Sequence, residues 1–297
     1  MDKVILAVDA GGTSIKYRLL REEDYAFLTE QKFYDMPSGG TKRELLNVFE
    51  NMFADAAGQC EKLGSEIIRV AFSVPGPFDC AAGISRMEHK WKPLKDMPLK
   101  EAFRETGILP RTAEFIFLHD VHAFLAGEKR FGYAKNYGNT LAVIIGTGLG
   151  VGLWENGRLR FSKEGGPLYS IYHRLYKEGV LEDYVSGRGI SIAYEHINGQ
   201  YLDARKIADK AREGDHAAQA VYQQMGTVLG ESITDIIMRH DIQCVVIGGR
   251  VSLAFDLFGQ ALGDAAGKCI RLYASEMLES AAMLGAAVWQ DNVLKRR

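Results

Sequence analysis

The chain has 297 residues, enough for about two domains of about 150 residues each. Its 36 basic and 38 acidic residues give a net charge of −2, so there is no electrostatic case for binding nucleic acid or an acidic membrane, and we expect a small-molecule partner. The four cysteines show no C-x-x-C spacing, and no apolar stretch approaches the ~20 residues that span a bilayer, which together predict a cytoplasmic protein without a zinc site or a disulfide framework.

Strand and helix patterns alternate along the chain, which favours an α/β architecture. Apolar runs predict strands over residues 3–9, 16–21, 67–73, 115–118, 140–145, 151–154 and 244–247. Helical spacing of apolar residues predicts helices over residues 42–63, 186–198, 203–212, 215–240 and 275–290. Each half opens with a strand, a glycine turn and a second strand, a faint internal repeat that is typical of two-lobed nucleotide-binding folds.

Two glycine turns follow predicted strands: Asp9-Ala10-Gly11-Gly12-Thr13 and Gly146-Thr147-Gly148. A loop that brings backbone N–H groups against a phosphate needs residues without a Cβ, and a following hydroxyl adds a donor. Neither turn fits the P-loop or the Rossmann pattern, and for either one alone a plain hairpin is the alternative. Asp9 ends a buried strand, where a carboxylate needs a cation or a hydrogen-bond network. The pair therefore predicts two half-sites for one nucleotide.

An ordered set of motifs carries a resemblance to a known family. The motifs are Asp9-Ala10-Gly11-Gly12-Thr13, Pro75-Gly76-Pro77, His119-Asp120, Gly146-Thr147-Gly148-Leu149-Gly150, Glu182 before Ser186-Gly187, Val246-Ile247-Gly248-Gly249, and Gly285-Ala286-Ala287. In this order they resemble the ROK-type sugar kinases of the hexokinase, actin and Hsp70 ATPase superfamily. The resemblance implies an α/β, two-lobed actin-like ATPase (ribonuclease H-like) fold with a ligand cleft between the lobes, and a homodimer. It places the N-terminal lobe at residues 1–118 with the C-terminal helix 283–297, and the C-terminal lobe at residues 119–282.

The resemblance also implies the chemistry, which is transfer of a phosphoryl group from ATP to a sugar hydroxyl, the 6-hydroxyl of a hexose or hexose derivative. Asp120 matches the general base, and the apolar run before it would deliver its carboxylate at the C-terminal end of a strand. The alternative for Asp120 is an ordinary helix N-cap. Asp9 would hold Mg²⁺ through water. The implied nucleotide-binding residues are Asp9, Gly11, Gly12, Thr13, Lys16, Gly146, Thr147, Gly148, Gly248 and Gly249.

The implied sugar-binding residues are Gly76, His119, Asp120, Glu164 and Glu182, and here the chain departs from the family. The usual Asn-Asp pair is His119-Asp120, and the usual Glu-x-Gly-His loop ends in Pro167. A site that pairs a hydroxyl discriminates strongly against analogues without it, so we expect a sugar that differs from glucose at the anomeric or 2 position. For Glu182, a surface carboxylate is the alternative. Residues 167–181 lack the cysteines of the family's zinc loop, so we expect no structural metal.

Three other classes compete with a kinase. A sugar-responsive repressor of the same family would carry a DNA-binding segment before Asp9, where only eight residues stand. A sugar-binding sensor without catalysis is the main alternative because His119 and Pro167 alter the site, whereas an actin-like filament protein has no use for Asp120. The cluster Glu88-His89-Lys90-Trp91 either stacks on a sugar or forms an exposed hairpin edge, and we leave it out of the predicted site.

Overall fold

The computed structural model describes residues 2–37, 39–88, 90–267 and 270–294. Residues 290–294 are described only as helical backbone. The strands are β1 (Asp2–Ala10), β2 (Ser14–Arg21), β3 (Lys32–Asp35), β4 (Ser65–Val74), β5 (Phe78–Asp79), β6 (Ile84–Ser85), β7 (Glu114–His119), β8 (Thr140–Ile145), β9 (Leu149–Glu155), β10 (Arg158–Leu159), β11 (Leu175–Tyr176), β12 (Gly179–Val180), β13 (Cys244–Gly248) and β14 (Arg271–Ala274). The helices are α1 (Lys42–Lys62), α2 (Leu99–Glu105), α3 (Asp120–Phe131), α4 (Leu181–Tyr184), α5 (Gly187–Asn198), α6 (Ala204–Arg212), α7 (His216–Arg239), α8 (Phe255–Ala266) and α9 (Glu279–Leu294).

The chain divides into two units. Unit 1 comprises Met1–Arg130, Phe161–Gly166 and Glu279–Arg297, and unit 2 comprises Phe131–Arg160 and Pro167–Leu278. Of the predicted C-terminal helix 283–297, residues 295–297 lie outside the described residues. The predicted division into lobes at residues 118 and 283 stays a prediction. Within the described ranges, no helix combines the length and the apolar character needed to cross a membrane.

Unit 1 is built on a five-stranded sheet with the order β3-β2-β1-β4-β7. Strand β1 pairs antiparallel with β2 and parallel with β4, and β4 pairs parallel with β7. The core on one side of this sheet is aromatic: Phe49 and Phe53 of α1 meet Phe72 of β4 and Phe103 of α2 at ring-centroid distances of 4.8 to 6.4 Å. Burial of these rings fixes the sheet that carries Asp9 and His119 at its strand ends.

Unit 2 repeats the same topology. Its five-stranded sheet has the order β10-β9-β8-β13-β14, in which β8 pairs antiparallel with β9 and parallel with β13. The long helix α7 packs on α8 across the apolar core, where Gly226 and Gly230 let the two helices approach closely. The predicted repeat of strand, glycine turn and strand is therefore present in both sheets.

Helix α1 shows how local sequence signals set an element. Thr41 and Glu44 form a capping box in which the Thr41 N–H donates to Glu44 Oε2 at 2.7 Å and the Glu44 N–H donates to Thr41 Oγ1 at 3.3 Å. The apolar face predicted from helical spacing is buried through Cys60. The prediction that Leu63 continues this face is wrong: the helix ends at Lys62 because Gly64 turns the chain with a φ of 63°, and Leu63 is 44% exposed.

Helices α3 and α9 of unit 1 cross at backbone contact. A Cβ added to Gly285 would lie 1.7 Å from the Ala123 carbonyl oxygen, and one added to Gly127 would lie 2.0 Å from the Ala281 carbonyl oxygen. Glycine is therefore required at both positions. Helix α9 begins at Glu279 and not at residue 275 as predicted, because Leu278 has a φ of 46° in the left-handed region, where a right-handed helix cannot continue.

A chain of three side chains anchors the segment 167–181 of unit 2, which is mostly irregular. The Tyr169 hydroxyl lies 2.6 Å from His240 Nε2, and His240 Nδ1 lies 2.6 Å from Glu155 Oε1. Arg174 adds a second anchor, donating to the Ser232 carbonyl at 2.9 Å. These bonds attach the segment to the end of α7 and to β9.

Candidate active site

The first glycine turn joins β1 to β2 in unit 1. Gly11 N–H donates to the Ser14 carbonyl at 2.8 Å, which closes the hairpin. A Cβ on Gly11 would lie 3.0 Å from that carbonyl oxygen, and a Cβ on Gly12 would lie 2.7 Å from Cδ of Lys90. Packing therefore restricts Gly11, whose Cβ would press on backbone, whereas a Cβ on Gly12 would displace only the flexible Lys90 side chain. At both positions the backbone is bare, which is the property that close approach to a phosphate requires.

Asp9 stands at the end of β1, directly before this turn. Ser73 Oγ donates to Asp9 Oδ1 at 3.1 Å, since the parallel register places Ser73 of β4 beside it. Desolvation raises the pKa of Asp9 to about 6, and the negative charges of Asp120 and Glu279 add to this, while Lys16 and the Ser73 hydrogen bond oppose it. The site thus holds more negative than positive charge, which a divalent cation would relieve, so its residues fit Mg²⁺.

Lys16 is the cross-strand partner of Asp9 in the β1–β2 ladder. Only 8% of the residue is exposed, and its ammonium group forms an ion pair with Glu279 at the start of α9. A buried ammonium group needs such a partner. The predicted contact of Lys16 with the nucleotide stays a prediction.

Asp120 is the first residue of α3 and follows β7 without a break. Its Oδ1 accepts a hydrogen bond from the Val121 N–H at 2.7 Å, whereas an N-cap side chain accepts from the second or third residue after it. One side of Asp120 is open to solvent, yet the surrounding protein desolvates the carboxyl enough to raise its pKa. The Val121 N–H hydrogen bond and the positive charge of Lys90 act in the opposite direction. A carboxylate with a raised pKa is a stronger base than an ordinary aspartate.

Two predicted sugar contacts, His119 and Gly76, lie together beside Asp120. His119 is 3% exposed, and Val74, two residues before Gly76, pairs with it in the β4–β7 ladder. A Cβ on Gly76 would lie 3.3 Å from the imidazole, so the glycine makes room for the ring. Gly166 also faces this imidazole, and a Cβ there would lie 3.8 Å from Nε2.

Glu164 lies on an exposed turn that belongs to unit 1. Ser162 N–H donates to the Gly166 carbonyl at 2.8 Å and Gly165 N–H donates to the Ser162 carbonyl at 3.1 Å, which closes the turn. Gly165 has a φ of 82°, a conformation that glycine adopts readily. The turn brings Gly166 toward His119, and the predicted contact of Glu164 with a sugar stays a prediction.

The second glycine turn joins β8 to β9 in unit 2. Gly146 N–H donates to the Gly148 carbonyl at 2.9 Å, and Gly187 N–H at the start of α5 donates to the Gly146 carbonyl at 2.9 Å. Glu182 accepts from the Leu149 N–H at 2.9 Å, and a Cβ on Gly148 would lie 2.6 Å from the same carboxylate oxygen. Glu182 thus holds the predicted phosphate turn, and its sugar contact stays a prediction.

Gly248 ends β13 of unit 2, which pairs with β8, and Gly249 follows it directly. Gly249 has a φ of 81°, and a Cβ on it would lie 2.3 Å from the Ile145 carbonyl oxygen at the end of β8. The residue must therefore be glycine. Gly248 and Gly249, which are predicted to hold adenosine, thus lie beside the end of β8 within unit 2. The turn 146–148 begins directly after this strand. The role of Gly248 and Gly249 stays a prediction.

The sequence reasoning missed three residues at the unit 1 site: Ser73, Lys90 and Glu279. Ser73 had a signal, because two parallel strands that end together place their last polar residues side by side. Lys90 belongs to the cluster 88–91 that we left out, of which His89 lies outside the described residues. The fully buried ring of Trp91 fixes the backbone next to Lys90. Across the described ranges, no three histidine, cysteine, aspartate or glutamate side chains are gathered as metal ligands.

Comparison with known proteins identifies the family. A profile of the ROK family matches residues 5–170 and 174–293, and the chain belongs to this family. A glucokinase of Thermotoga maritima is 24% identical over 99% of this chain and 98% of its own length. An N-acetylmannosamine kinase of Shigella flexneri is 26% identical over 96% of this chain and 97% of its own length. The solved structure of a ROK family glucokinase from Streptomyces griseus, in complex with glucose and AMPPNP, has a TM-score of 0.79 at 20% identity and covers 96% and 98% of the two chains.

These matches confirm three of the predictions made from the motifs. The family is ROK, the fold class is the mixed α/β, two-lobed actin-like fold, and the class of enzyme is a sugar kinase. The roles of individual residues, the sugar and the reacting hydroxyl stay predictions.

Proposed function

We propose that this chain transfers the γ-phosphoryl group of ATP to a sugar hydroxyl, and that Asp120 accepts the proton of that hydroxyl. The observation that carries the proposal is the placement of Asp120, a solvent-accessible carboxylate held by the Val121 N–H and beside the buried His119. Its raised pKa increases its basicity toward a hydroxyl proton. A protein that only binds sugar has no use for such a base.

The two glycine turns are the proposed phosphate contacts. Gly11, Gly12 and Thr13 in unit 1, and residues 146–148 in unit 2, would donate backbone and hydroxyl hydrogens to the phosphate oxygens of ATP. Asp9 would hold Mg²⁺ through water, and the ion, when bound, neutralises the charge of the phosphates. Lys16 would add positive charge near these groups, and Gly248 and Gly249 would support adenosine.

The proposed acceptor is the 6-hydroxyl of a hexose or hexose derivative. Relatives named for glucose and for N-acetylmannosamine support a hexose-sized substrate. His119 and Pro167 replace residues that the resemblance assigns to sugar contacts, so we propose a sugar that differs from glucose at the anomeric or 2 position. A clear preference for free glucose over N-acetylhexosamines and glucosides, measured as kcat/KM, would refute this part. The homodimer and the cytoplasmic location follow from the resemblance and the composition and stay predictions.

The test is an ADP-release assay with Mg-ATP over hexoses, N-acetylhexosamines and glucosides, in the wild type and in Asp120→Asn. We expect sugar-dependent turnover that falls on the order of 10²- to 10⁴-fold in Asp120→Asn, with sugar binding retained. Asp2→Asn is the matched control, because Asp2 is exposed at the opposite end of β1 from Asp9 and should not affect turnover. If sugars bind but none is phosphorylated, the chain is a sugar sensor that has kept the kinase fold.

A further inference from the structure

His119 has a buried nitrogen atom without a partner. Nε2 is out of contact with solvent and forms no hydrogen bond to any described residue. The ring lies between Gly76 and Gly166. A Cβ built on Gly76 would lie 3.3 Å from Cε1 and Nδ1 of the ring, and a Cβ built on Gly166 would lie 3.8 Å from Nε2. Buried polar atoms are normally hydrogen-bonded, so an orphaned one beside a proposed catalytic base calls for a ligand.

The chemistry of Nε2 follows from the other contacts of the ring. The backbone carbonyl of Phe78 acts as a hydrogen-bond acceptor toward His119 and thereby favours its protonated form. Since a carbonyl only accepts and Nε2 has no partner, the N–H of the ring that faces this carbonyl belongs to Nδ1. Burial lowers the pKa of His119, although the neighbouring charge of Asp120 and the Phe78 hydrogen bond oppose this, so the ring is neutral. A neutral imidazole carries one N–H, which leaves Nε2 as an acceptor.

From this geometry we infer that His119 Nε2 accepts a hydrogen bond from a hydroxyl or an amide N–H of the sugar, next to the hydroxyl that Asp120 deprotonates. The inference rests on the proposed function and makes it more specific: the substrate must present a donor at one ring position. An analogue with hydrogen or fluorine at that position lacks the donor and leaves Nε2 unpaired. His119 is thus a specificity-determining residue, and its imidazole rejects groups that can only accept.

The test pairs an enzyme variant with sugar analogues. kcat/KM is measured for the best sugar, its monodeoxy series and its monodeoxyfluoro series, with the wild type and with His119→Phe, which keeps a ring between the two glycines but has no acceptor. At one ring position of the sugar, we expect the kcat/KM of the wild type to be lower for both analogues than for the parent sugar by on the order of 10- to 100-fold, because each analogue leaves the buried acceptor Nε2 unsatisfied. In His119→Phe, the kcat/KM for the same analogues should be less than about threefold lower than for the parent sugar, because this variant has no buried acceptor that an analogue could leave unpaired. Equal losses in the two proteins at every ring position would overturn the inference.

A second variant and a second readout make the outcome interpretable. If His119→Phe does not fold, His119→Asn serves, because an amide can turn its NH₂ toward the substrate. In His119→Asn, the kcat/KM for the fluoro analogue should then rise relative to that for the deoxy analogue, because fluorine can accept from the amide NH₂ and hydrogen cannot. If it does not rise, the result counts against the inference. Binding of the same analogues to Asp120→Asn and to Asp120→Asn/His119→Phe, by calorimetry without ATP, separates the two proposals. If the loss of binding for the analogues depends on His119 but no sugar is phosphorylated by the wild type, the kinase mechanism alone is refuted. If a sugar is phosphorylated but the loss of binding does not depend on His119, the role of His119 alone is refuted.

Discussion

Replacing Gly285 by alanine tests whether backbone contact fixes the crossing of α3 and α9. The added Cβ would lie 1.7 Å from the Ala123 carbonyl oxygen and 2.5 Å from the Gly127 nitrogen, and neither atom can move by a change of rotamer. The two helices must therefore separate. Overpacking a core costs typically about 1–3 kcal/mol, or more where backbone has to shift, whereas alanine gains about 0.5–1 kcal/mol over glycine in a helix. Because backbone has to shift here, we take the upper end, about 3 kcal/mol, and subtract the gain of about 1 kcal/mol. This leaves an expected net loss of about 2 kcal/mol or more in the free energy of unfolding.

The matched control is Gly58→Ala in α1. Gly58 is also a helical glycine, but nothing lies within 4 Å of the Cβ that alanine would add. This variant should gain about 0.5–1 kcal/mol, so the two alanine variants should differ by at least about 2 kcal/mol. Urea unfolding followed by circular dichroism gives both values. Because Asp120 begins α3, Gly285→Ala should also lower kcat. A Gly285→Ala protein as stable as the wild type would show that the helices do not meet in this way.

Two further predictions concern the charged residues at the two turns. Desolvation raises the pKa of Asp9 from 3.8 to about 6, so its ionisation opposes folding and this loss of stability develops as the pH rises from about 4 to 6. Asp9→Asn should therefore be more stable than the wild type at pH 7.5, by on the order of 1–3 kcal/mol in urea unfolding, and no more stable below pH 4; an equal gain at both pH values would contradict the assignment. Glu182→Ala removes the acceptor of the Leu149 N–H, so the KM for ATP should rise several-fold, whereas Glu182→Gln, which keeps an acceptor, should change it little. A rise confined to the KM of the sugar would favour the sugar contact predicted from the resemblance.

Periodic or capped segments could be predicted from the sequence. Helices α5, α6 and α7 each start after a side chain that accepts a backbone N–H: Ser186, Asp203 and Asp215. The short edge strands β3 and β14 were missed because four residues carry too little pattern. Their pairing is set by the strands beside them, which the sequence does not display locally.

The site could be predicted only where motifs name the residue. Asp9 and Asp120 each end or follow an apolar run, which is a local signal. The contact of Lys90 with Gly12 joins residues far apart in the chain, and it depends on how Trp91 is buried against Phe49, with ring centroids 5.5 Å apart. Such contacts depend on packing rather than on spacing, so no motif reports them.

The chain of Glu155, His240 and Tyr169 has a hydrogen-bond direction that begins at the carboxylate. A carboxylate only accepts, so His240 places its hydrogen on Nδ1 toward Glu155, and Nε2 is left to accept from the Tyr169 hydroxyl. Glu155 on β9 therefore selects the imidazole tautomer that Tyr169 requires, although the two residues do not share a hydrogen bond. The position of the segment 167–181 is thus specified in part by a carboxylate that lies outside the segment.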